Sequence, residues 1–422
     1  MIMKNQWNGS DEQAYISRHS DNYHNNPDAE REIFRQAYAT TLLGADSGLT
    51  MHGGGNTSIK VDINEKRALY VKATGTPLNL FEPGYFVVMD LEFLEGLKSC
   101  GGIDDASMAL EFKKRQLVKT DRLPSIESLM HAFIPAKIVD HSHPEALLKI
   151  ANRVNGASLL AECFGGDLAV IPYARMGYDL ASAVSSAAER NSGCKGVAVV
   201  HHGLVVWGGG AREVYDLTIE IVNRAEKFLS SMPSKPIARG AEVSAGESED
   251  NYRLAAPLIK KALGVAEISL ILLNSPDVME LINSPDAGIV RDPPLTPDYP
   301  MLRRILPLWL DVDLRGGVGE ISTYIKTAVD KYVKYYGDYL KEHGVSDQPL
   351  IDLLPKAVIH PRTGVVCLGA DEASARVMAD FTRQAFSIRR SIFESGGVYQ
   401  CLADEYLFDM QYRGYQRAKR DS

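Results

Sequence analysis

The sequence predicts an α/β protein of two domains, and three observations support this. The chain has 422 residues, more than twice the usual length of about 150 residues for one domain. Helical and strand-like apolar patterns alternate along it. A stretch rich in Pro and Ser at 230–236 has little to bury and is typical of a linker. We therefore expect domains at 27–230 and 251–422, a linker at 231–250, and an irregular N-terminal segment at 1–26.

The predicted N-terminal domain opens with a helix, followed by two strands around glycine-rich turns. Pro27 stands at the first helical position with acids in the first turn, which is typical of a helix start. The apolar spacing continues to Gly44. β-type runs then follow at 53–61 and 69–77, each with a glycine-containing turn. We expect strands with exposed loops there.

The rest of that domain alternates between helices and strands. The predicted order is helix 125–133, strand 137–140, helix 145–152, strand 197–200, strand 204–207 and helix 212–229. His141 and His143 follow the first of these strands, and His201 and His202 follow the second. Several imidazoles are thus expected at strand ends.

The end of the C-terminal domain resembles the end of the N-terminal one. Gly203–Gly208 precedes a predicted helix that reaches Ala225. After a one-residue deletion it lines up with Gly364–Gly369, which precedes a helix that reaches Ala385. A degenerate duplication explains this match, and so does the coincidence of two common βα units. Both explanations stay open, and either one gives a second α/β domain.

Composition excludes several classes of protein. Apolar residues make up 45% and charged residues 24%, which is ordinary usage for a folded chain and disfavours wholesale disorder. The formal net charge of −8 disfavours a broad nucleic-acid or anionic-membrane surface. Small anionic substrates stay possible where positive groups are local.

The cysteines and the hydropathy indicate the compartment. The five cysteines are scattered, odd in number and without a C-x-x-C pair, so neither a disulfide framework nor a thiolate zinc site is predicted. No apolar run approaches the about 18–20 residues of a membrane span, and the polar start is unlike a secretory signal. The expected location is the cytoplasm.

Three histidines predict a metal site. His141 and His143 stand two apart at the end of an apolar run, so both imidazoles project from one face of a strand. Such a pair alone is often incidental. His202 adds a third imidazole after another buried strand, and three histidines with one open position describe a catalytic metal site. His202 is preferred over His201, a core or outer-layer histidine, because it directly precedes Gly203.

A carboxylate accompanies these histidines. Glu127 and His131 are four apart on one predicted helix, and that helix leads into the strand that ends at His141. Glu127 is thereby placed near the predicted metal. A fourth ligand, a general base and an exposed acid at a helix start are all compatible with the spacing.

Two turns offer groups that suit a phosphate. The turns at 53–58 and 74–76 expose backbone N–H groups and hydroxyls, which bind phosphate without net positive charge. Neither is a Walker loop or a G-x-G-x-x-G dinucleotide fingerprint, so nucleotide binding has no support.

Six sequence elements, taken in order, resemble the class II aldolase/adducin family over residues 30–230. They are Gly55-Asn56-Thr57-Ser58, Thr74-Gly75, Ser125-Ile126-Glu127, His141-Ser142-His143, the run 172–177 around Tyr173, and His202-Gly203. A closer likeness, which reaches Tyr406–Asp409, is to the aldolase half of bifunctional rhamnulose-phosphate aldolase/short-chain dehydrogenase proteins. The glycine fingerprint of the dehydrogenase half is not found in this sequence. The resemblance therefore implies an aldolase-type protein that stands by itself.

The resemblance implies a fold and a metal centre. The family has an α/β/α layered domain with a central, mostly antiparallel sheet. It holds a divalent metal, usually zinc, through the residues that match His141, His143 and His202. The family's glutamate matching Glu127 binds the resting metal and then acts as a base. The tyrosine matching Tyr173 protonates the aldehyde oxygen, often across a subunit boundary, which implies a homo-oligomer.

The resemblance also implies a phosphorylated substrate. Positions that hold the phosphate of a ketose phosphate match five residues: Asn56, Ser58, Thr74, Gly75 and Ser125. Family aldolases commonly carry two serines before the glutamate, whereas Ile126 follows Ser125 here, which removes one hydroxyl. The expected activity is cleavage of a ketose 1-phosphate such as rhamnulose 1-phosphate. Epimerisation at C4 of a pentulose phosphate, decarboxylation of a 3-oxo acid phosphate and adducin-like assembly are the alternatives.

A duplicated second domain is expected to lack the metal. Tyr299-Pro300 stands where His143-Pro144 would be, and Arg362-Thr363 stands where His201-His202 would be. None of these replacements is a usual zinc ligand. We expect residues beyond about 236 to serve scaffolding, active-site covering or oligomer contacts.

Overall fold

The computed structural model describes residues 2–20, 27–63, 65–238, 240–265, 267–291, 306–346 and 348–412. These residues form two compact units, the first within Met1–Met232 and the second Pro233–Gln411. Both units combine helices with a sheet, so the predicted α/β class is confirmed. Within the described part of the chain, no helix is both long enough and apolar enough to cross a bilayer.

The first unit contains a seven-stranded sheet. Its strands are β1 (Asn56–Ile63), β2 (Lys66–Lys72), β3 (Phe86–Asp90), β4 (Ile138–Ser142), β5 (Leu168–Ile171), β6 (Gly196–Val199) and β7 (Gly203–Gly208). The spatial order is β3-β2-β1-β4-β7-β6-β5, and only the β5–β6 pair is parallel. The predicted mostly antiparallel sheet is therefore confirmed. The antiparallel register of β1 and β4 sets Asn56 directly opposite His141.

Helices contact this sheet in two groups. The helices are α1 (Gly9–His19), α2 (Pro27–Ala45), α3 (Leu91–Gly96), α4 (Asp105–Lys114), α5 (Ser128–Phe133), α6 (Glu145–Ala151), α7 (Gly156–Phe164), α8 (Tyr178–Arg190) and α9 (Ala211–Ser231). Helices α2, α6 and α7 contact α9, whereas α3 and α8 contact α5. On α9, Val214, Ile221 and Val222 share one buried face, and burying each such side chain stabilises the fold by about 1.5–3 kcal/mol.

The predicted irregular segment at 1–26 is wrong in part, because α1 forms within it. The Asn8 side chain accepts hydrogen bonds from the backbone N–H groups of Ser10 and Asp11, which caps the helix start. Tyr15 and Ile16 are its buried residues. Two buried positions leave too weak an apolar periodicity to indicate a helix from the sequence. Residues 21–26 lie outside the described part of the chain.

The second unit contains a four-stranded sheet. Its strands are β8 (Ser269–Leu273), β9 (Leu308–Trp309), β10 (Ala357–His360) and β11 (Gly364–Gly369), in the order β8-β11-β10-β9. Its helices are α10 (Ala245–Leu263), α11 (Pro276–Asn283), α12 (Val318–Glu342), α13 (Leu350–Leu353), α14 (Glu372–Glu394) and α15 (Asp404–Tyr412). Helix α10 begins inside the predicted linker 231–250, because Ser244 accepts a hydrogen bond from the backbone N–H of Glu247. The Ser-x-x-Glu spacing of a capping box was the overlooked signal.

The second sheet reproduces one half of the first. In β4-β7-β6-β5 and in β8-β11-β10-β9, the successive pairs are antiparallel, antiparallel and parallel. The helices follow the same order, because α5, α6, α8 and α9 alternate with these strands as α10, α11, α12 and α14 do in the second unit. Helix α5 contacts α8, and α10 contacts α12. Eight elements in one order favour a degenerate repeat over the coincidence of two βα units.

The strand register corrects one predicted correspondence. Ser142 lies opposite Leu204 on β7, and Leu273 lies opposite Val365, which is the equivalent position of β11. The residue after Leu273, Asn274, therefore occupies the place of His143. The alignment of Tyr299-Pro300 with His143-Pro144 is wrong, and those two residues lie outside the described part of the chain. Its cause is the different length of chain between matching strands, which shifts an alignment extended from the match of Gly203–Gly208 with Gly364–Gly369.

A buried acid, Asp140, lies on β4 next to the first predicted metal ligand. Asp140 is 1% exposed and accepts a hydrogen bond from Gln36 Nε2 on α2 at 2.7 Å. Since strand side chains alternate, it faces away from His141. Burial raises the pKa of Asp140 to about 8, against the opposing effect of the Gln36 hydrogen bond. The carboxyl is therefore protonated in the folded protein at neutral pH.

Replacing Asp140 by asparagine is expected to flatten the pH dependence of stability. Between pH about 4 and about 8 the folded chain keeps a proton that the unfolded chain loses, so the wild-type free energy of unfolding falls as pH rises, by up to about 1.4 kcal/mol per pH unit. Asp140→Asn removes this term, so its stability relative to wild type rises from pH 5 to pH 8. Urea unfolding with a chelator present measures it. The exposed Asp62→Asn on β1 is the control, and parallel curves for Asp140→Asn and wild type would contradict the assignment.

Candidate metal centre

Three imidazoles converge at one end of the first sheet. His141 lies on β4, His143 directly follows it, and His202 lies in the turn between β6 and β7. The Nε2 atom of His141 is 2.9 Å from that of His143 and 3.1 Å from that of His202. All three side chains are buried, and their ligand atoms lie within 4.8 Å of one another. The sequence-predicted triad is thus brought together by the fold.

A tight turn places His202. His201 has a φ of 59°, in the left-handed region, and its Nδ1 is 2.8 Å from Asn152 Oδ1, which fixes the turn. Gly203 then passes so close to β4 that a Cβ there would lie 2.4 Å from the Ser142 carbonyl oxygen and 2.7 Å from His143 Cδ2. Only glycine fits at this position. His201 therefore shapes the turn, while His202 turns inward.

The orientation of His141 is set by the backbone. Its Nδ1 lies 2.9 Å from the Leu204 carbonyl oxygen, which can only accept, so Nδ1 carries the hydrogen and Nε2 presents its lone pair. Burial lowers the pKa of His141 well below its ordinary value and keeps the ring neutral. Three neutral imidazoles whose ring nitrogens lie this close together can direct their lone pairs at one cation. The donor set therefore fits a divalent metal such as zinc.

Glu127 adds a negative charge beside the histidines. It is 4% exposed, which excludes the interpretation as an exposed acid at a helix start. Its Oε1 lies 3.2 Å from His202 Nε2 and 3.7 Å from His141 Nε2, and its Oε2 accepts a hydrogen bond from Asn56. Burial alone would raise the pKa of Glu127, but the neighbouring imidazoles and the hydrogen bond with His202 lower it by more, so the net shift is downward. The ionised carboxylate can bind a metal or accept a proton.

His131 shares a helix with Glu127 but points elsewhere. Its Nδ1 is 2.8 Å from Ser58 Oγ and 3.1 Å from the Val139 carbonyl oxygen. Burial lowers the pKa of His131 to about 4, so it is neutral. The hydroxyl of Ser58, which is fully buried, is thereby engaged with β4 and α5. The phosphate role of Ser58 stays a prediction.

The two predicted phosphate turns meet next to the histidines. A Cβ on Gly53 would lie 3.9 Å from Gly75 Cα, so the two loops are adjacent. Thr74 donates its N–H to the Leu123 carbonyl at 2.9 Å, and Ser125 donates to the Lys72 carbonyl at 3.1 Å. The Ser125 hydroxyl also accepts from the Glu127 N–H at 3.2 Å. The fold therefore sets Asn56 and Ser125 against Glu127 and the turn of Thr74 and Gly75 against Gly53. Contact of these residues with a phosphate stays a prediction.

Sequence reasoning missed Lys72. This side chain is 2% exposed, and its Nζ donates a hydrogen bond to the Gly53 carbonyl at 3.0 Å. It contributes a positive charge at the base of the glycine turn, where the sequence had indicated only uncharged groups, backbone N–H groups and hydroxyls. The available signal was a lysine inside an apolar strand, directly before Ala73 and Thr74.

Tyr173 lies near His202. It is half-buried in the segment that connects β5 to α8, and its ring centroid is 6.4 Å from that of His202. This places a phenol near the triad within one chain. Its part in proton transfer stays a prediction.

Two family models match the chain. Residues 35–229 match the class II aldolase and adducin N-terminal domain, and residues 250–419 match the class II aldolase second domain. A curated relative, the uncharacterized oxidoreductase YuxG of Bacillus subtilis (strain 168), is 26% identical over 365 residues, which cover 84% of this chain and 53% of the relative. The chain thus spans about half the length of that protein.

Two solved structures of class II aldolase proteins are similar to part of this chain. The N-terminal class II aldolase domain of a conserved protein from Thermoplasma acidophilum is 29% identical, with 54% of this chain and 99% of that chain covered and a TM-score of 0.46. The L-fuculose-1-phosphate aldolase from Thermus thermophilus is 17% identical, with 46% and 94% covered and a TM-score of 0.33.

Proposed function

Residues 35–229 belong to the class II aldolase and adducin family, and on that premise we propose that the chain is a zinc-dependent aldehyde-lyase. Its proposed substrate is a ketose 1-phosphate, with rhamnulose 1-phosphate as the first candidate, cleaved to dihydroxyacetone phosphate and an aldehyde. The observation that carries the proposal is the buried triad of His141, His143 and His202 beside an ionised Glu127. An adducin-like role in assembly has no need of such a site.

The chain's own groups suit both halves of the reaction. His141, His143 and His202 would hold the metal, which would supply the positive charge that stabilises an enediolate when the C3–C4 bond breaks. In the direction of bond formation, Glu127 removes a proton from C3 of dihydroxyacetone phosphate and the Tyr173 hydroxyl gives a proton to the aldehyde oxygen. Cleavage reverses both transfers. The electron pair left when the C3 proton leaves then forms the C3–C4 bond to the aldehyde carbon, whose oxygen takes the Tyr173 proton, so atoms and charges balance.

The neighbouring loops suit the phosphate end of the substrate. Thr74 and Gly75 lie in a turn beside the glycines at 53–55, and turns of this type present N–H groups to anions. The buried Lys72 adds a positive charge at the same place. A local cation and backbone dipoles bind an anion even in a chain of net charge −8. These features support a phosphorylated substrate.

Metal analysis combined with product analysis tests the proposal. The purified chain is expected to contain about one divalent metal per triad and to release dihydroxyacetone phosphate from L-rhamnulose 1-phosphate. Chelation should remove the bound metal and the cleavage activity, and added Zn²⁺ should restore the two. Nuclear magnetic resonance of the products separates cleavage from C4 epimerisation and from loss of carbon dioxide. A folded protein that binds no divalent metal would refute the proposal.

A further inference from the structure

The repeat in the second unit places a cavity where the first unit has its metal centre. We propose that this cavity is a second small-molecule site that takes an uncharged polyhydroxylated ligand, such as a free sugar, and no metal. This inference rests on the second unit alone and does not depend on the proposed aldolase activity. Three observations carry it: the replacement of the metal ligands, the shape of the cavity and its charge.

The metal ligands are replaced position by position. The register gives Leu272 in the place of His141 and Asn274 in the place of His143, while Thr363 precedes Gly364 as His202 precedes Gly203. Leucine has no ligand atom, and a lone amide and hydroxyl hold zinc poorly. In the described part of the chain, the first-unit triad is the one group that could hold a metal ion. The second site has therefore lost metal chemistry.

A hydrogen-bonded network stands where Glu127 meets the histidines in the first unit. Ser248 lies near the start of α10, as Glu127 lies at the start of α5. Its hydroxyl donates to the Thr363 carbonyl oxygen at 2.6 Å and accepts from Asn274 Nδ2 at 2.9 Å. The network is uncharged and orders the Asn274 amide, which leaves Asn274 Oδ1 as an acceptor for a ligand.

The cavity next to this network has the size of a ligand site. Its volume is about 950 Å³, and it is lined by Ser248, Asn274, the segment 240–244 and residues of α11. This volume lies at the upper end of the range for small-molecule pockets, about 300–1,000 Å³. Met279 and Val243 contribute apolar surface to the lining. Such a mixture of amide, carboxylate and apolar groups suits a sugar, which has both hydroxyls and a C–H face.

The charges of the lining disfavour a phosphate. Arg390 is paired, with Nη2 2.6 Å from Glu280 Oε2 and Nε 2.8 Å from Glu394 Oε1. Glu242 and Asp277 line the same cavity and form no ion pair with the described residues. Two uncompensated carboxylates repel an anion and accept hydrogen bonds from hydroxyl groups. The lining of the second site therefore favours an uncharged sugar over a sugar phosphate.

Saturation-transfer nuclear magnetic resonance on the full chain tests the inference. The probes are L-rhamnose as the neutral ligand and L-rhamnulose 1-phosphate as the anionic one. We expect the L-rhamnose signal to persist in His143→Ala, which damages only the first site. Asn274→Leu should weaken L-rhamnose binding by about tenfold or more, while metal content and any lyase activity stay at the wild-type level.

A second variant tests the inference if Asn274→Leu does not fold. Asp277 and Glu242 are exposed at the rim, so Glu242→Ala with Asp277→Ala keeps the packing. This variant should weaken L-rhamnose binding by about threefold or more and reduce discrimination against the phosphate. No transfer to L-rhamnose in the wild type would overturn the inference. A signal that disappears in His143→Ala, or is unchanged in the folded cavity variants, would also overturn it.

Discussion

His143→Ala is expected to abolish metal binding and, with it, the proposed lyase activity. His143 Nε2 is 2.9 Å from His141 Nε2 and is one of the three imidazole nitrogens of the set. Two remaining imidazoles chelate zinc far more weakly than three. Loss of a residue that only hydrogen-bonds to a metal ligand already lowers metal affinity by about 10–100-fold. Loss of a ligand itself should lower the affinity by more. Elemental analysis and the rate of dihydroxyacetone phosphate release measure the two effects.

The control for this variant is His52→Asn. His52 lies in the glycine turn near the site, is exposed and has a φ of 50°, a conformation that asparagine tolerates. It should keep its metal and its activity. Circular dichroism must show that His143→Ala is folded. A folded His143→Ala protein with a full equivalent of metal would show that the triad is not the metal centre.

The triad could be predicted from the sequence because its geometry is local. Alternation along β4 puts His141 and His143 on one face, and a glycine after His202 requires a tight turn. Each of these inferences needs only neighbouring residues. That His202 meets His141 and His143 could be predicted only from the family resemblance.

The environment of Glu127 could not be predicted, because it depends on contacts between distant segments. Spacing left the residue as a ligand, a base or an exposed acid. Its burial arises from β1, where Asn56 reaches Glu127 across 71 positions of sequence. The buried Lys72 depends in the same way on its contact with Gly53. Burial and charge pairing are properties of the packed fold, whereas a sequence pattern reports only one element.

For a related reason, only part of the repeat could be predicted from the sequence. The pattern at Gly203–Gly208 and Gly364–Gly369 is similar in sequence because β7 and β11 are both interior strands with a neighbour on each side. The equivalence of His143 and Asn274 has no sequence signal, because the chain between matching strands differs in length. The equivalence follows instead from the register of β8 against β11. Backbone topology has thus been kept in the second unit while the metal ligands have not.

Glu127→Gln is expected to abolish turnover while the metal is retained. Glutamine keeps the shape of the side chain and an oxygen for the Asn56 hydrogen bond, but it cannot take up a proton. General acid–base catalysis contributes about 10²–10⁴-fold, and kcat should fall by that factor. Exchange of the C3 hydrogen of dihydroxyacetone phosphate with deuterated water isolates the proton transfer from bond cleavage. This exchange should be lost in the variant.

The matched control is Glu162→Gln, which changes an exposed glutamate on α7 of the same unit. It should match the wild type in metal content, exchange and turnover. If Glu127→Gln loses metal in proportion to activity, Glu127 serves mainly to hold the metal. If it keeps C3 exchange but loses cleavage, another group is the base at C3. Retained metal with lost exchange is the result that assigns proton transfer to Glu127, because only the carboxylate has been removed beside an intact triad.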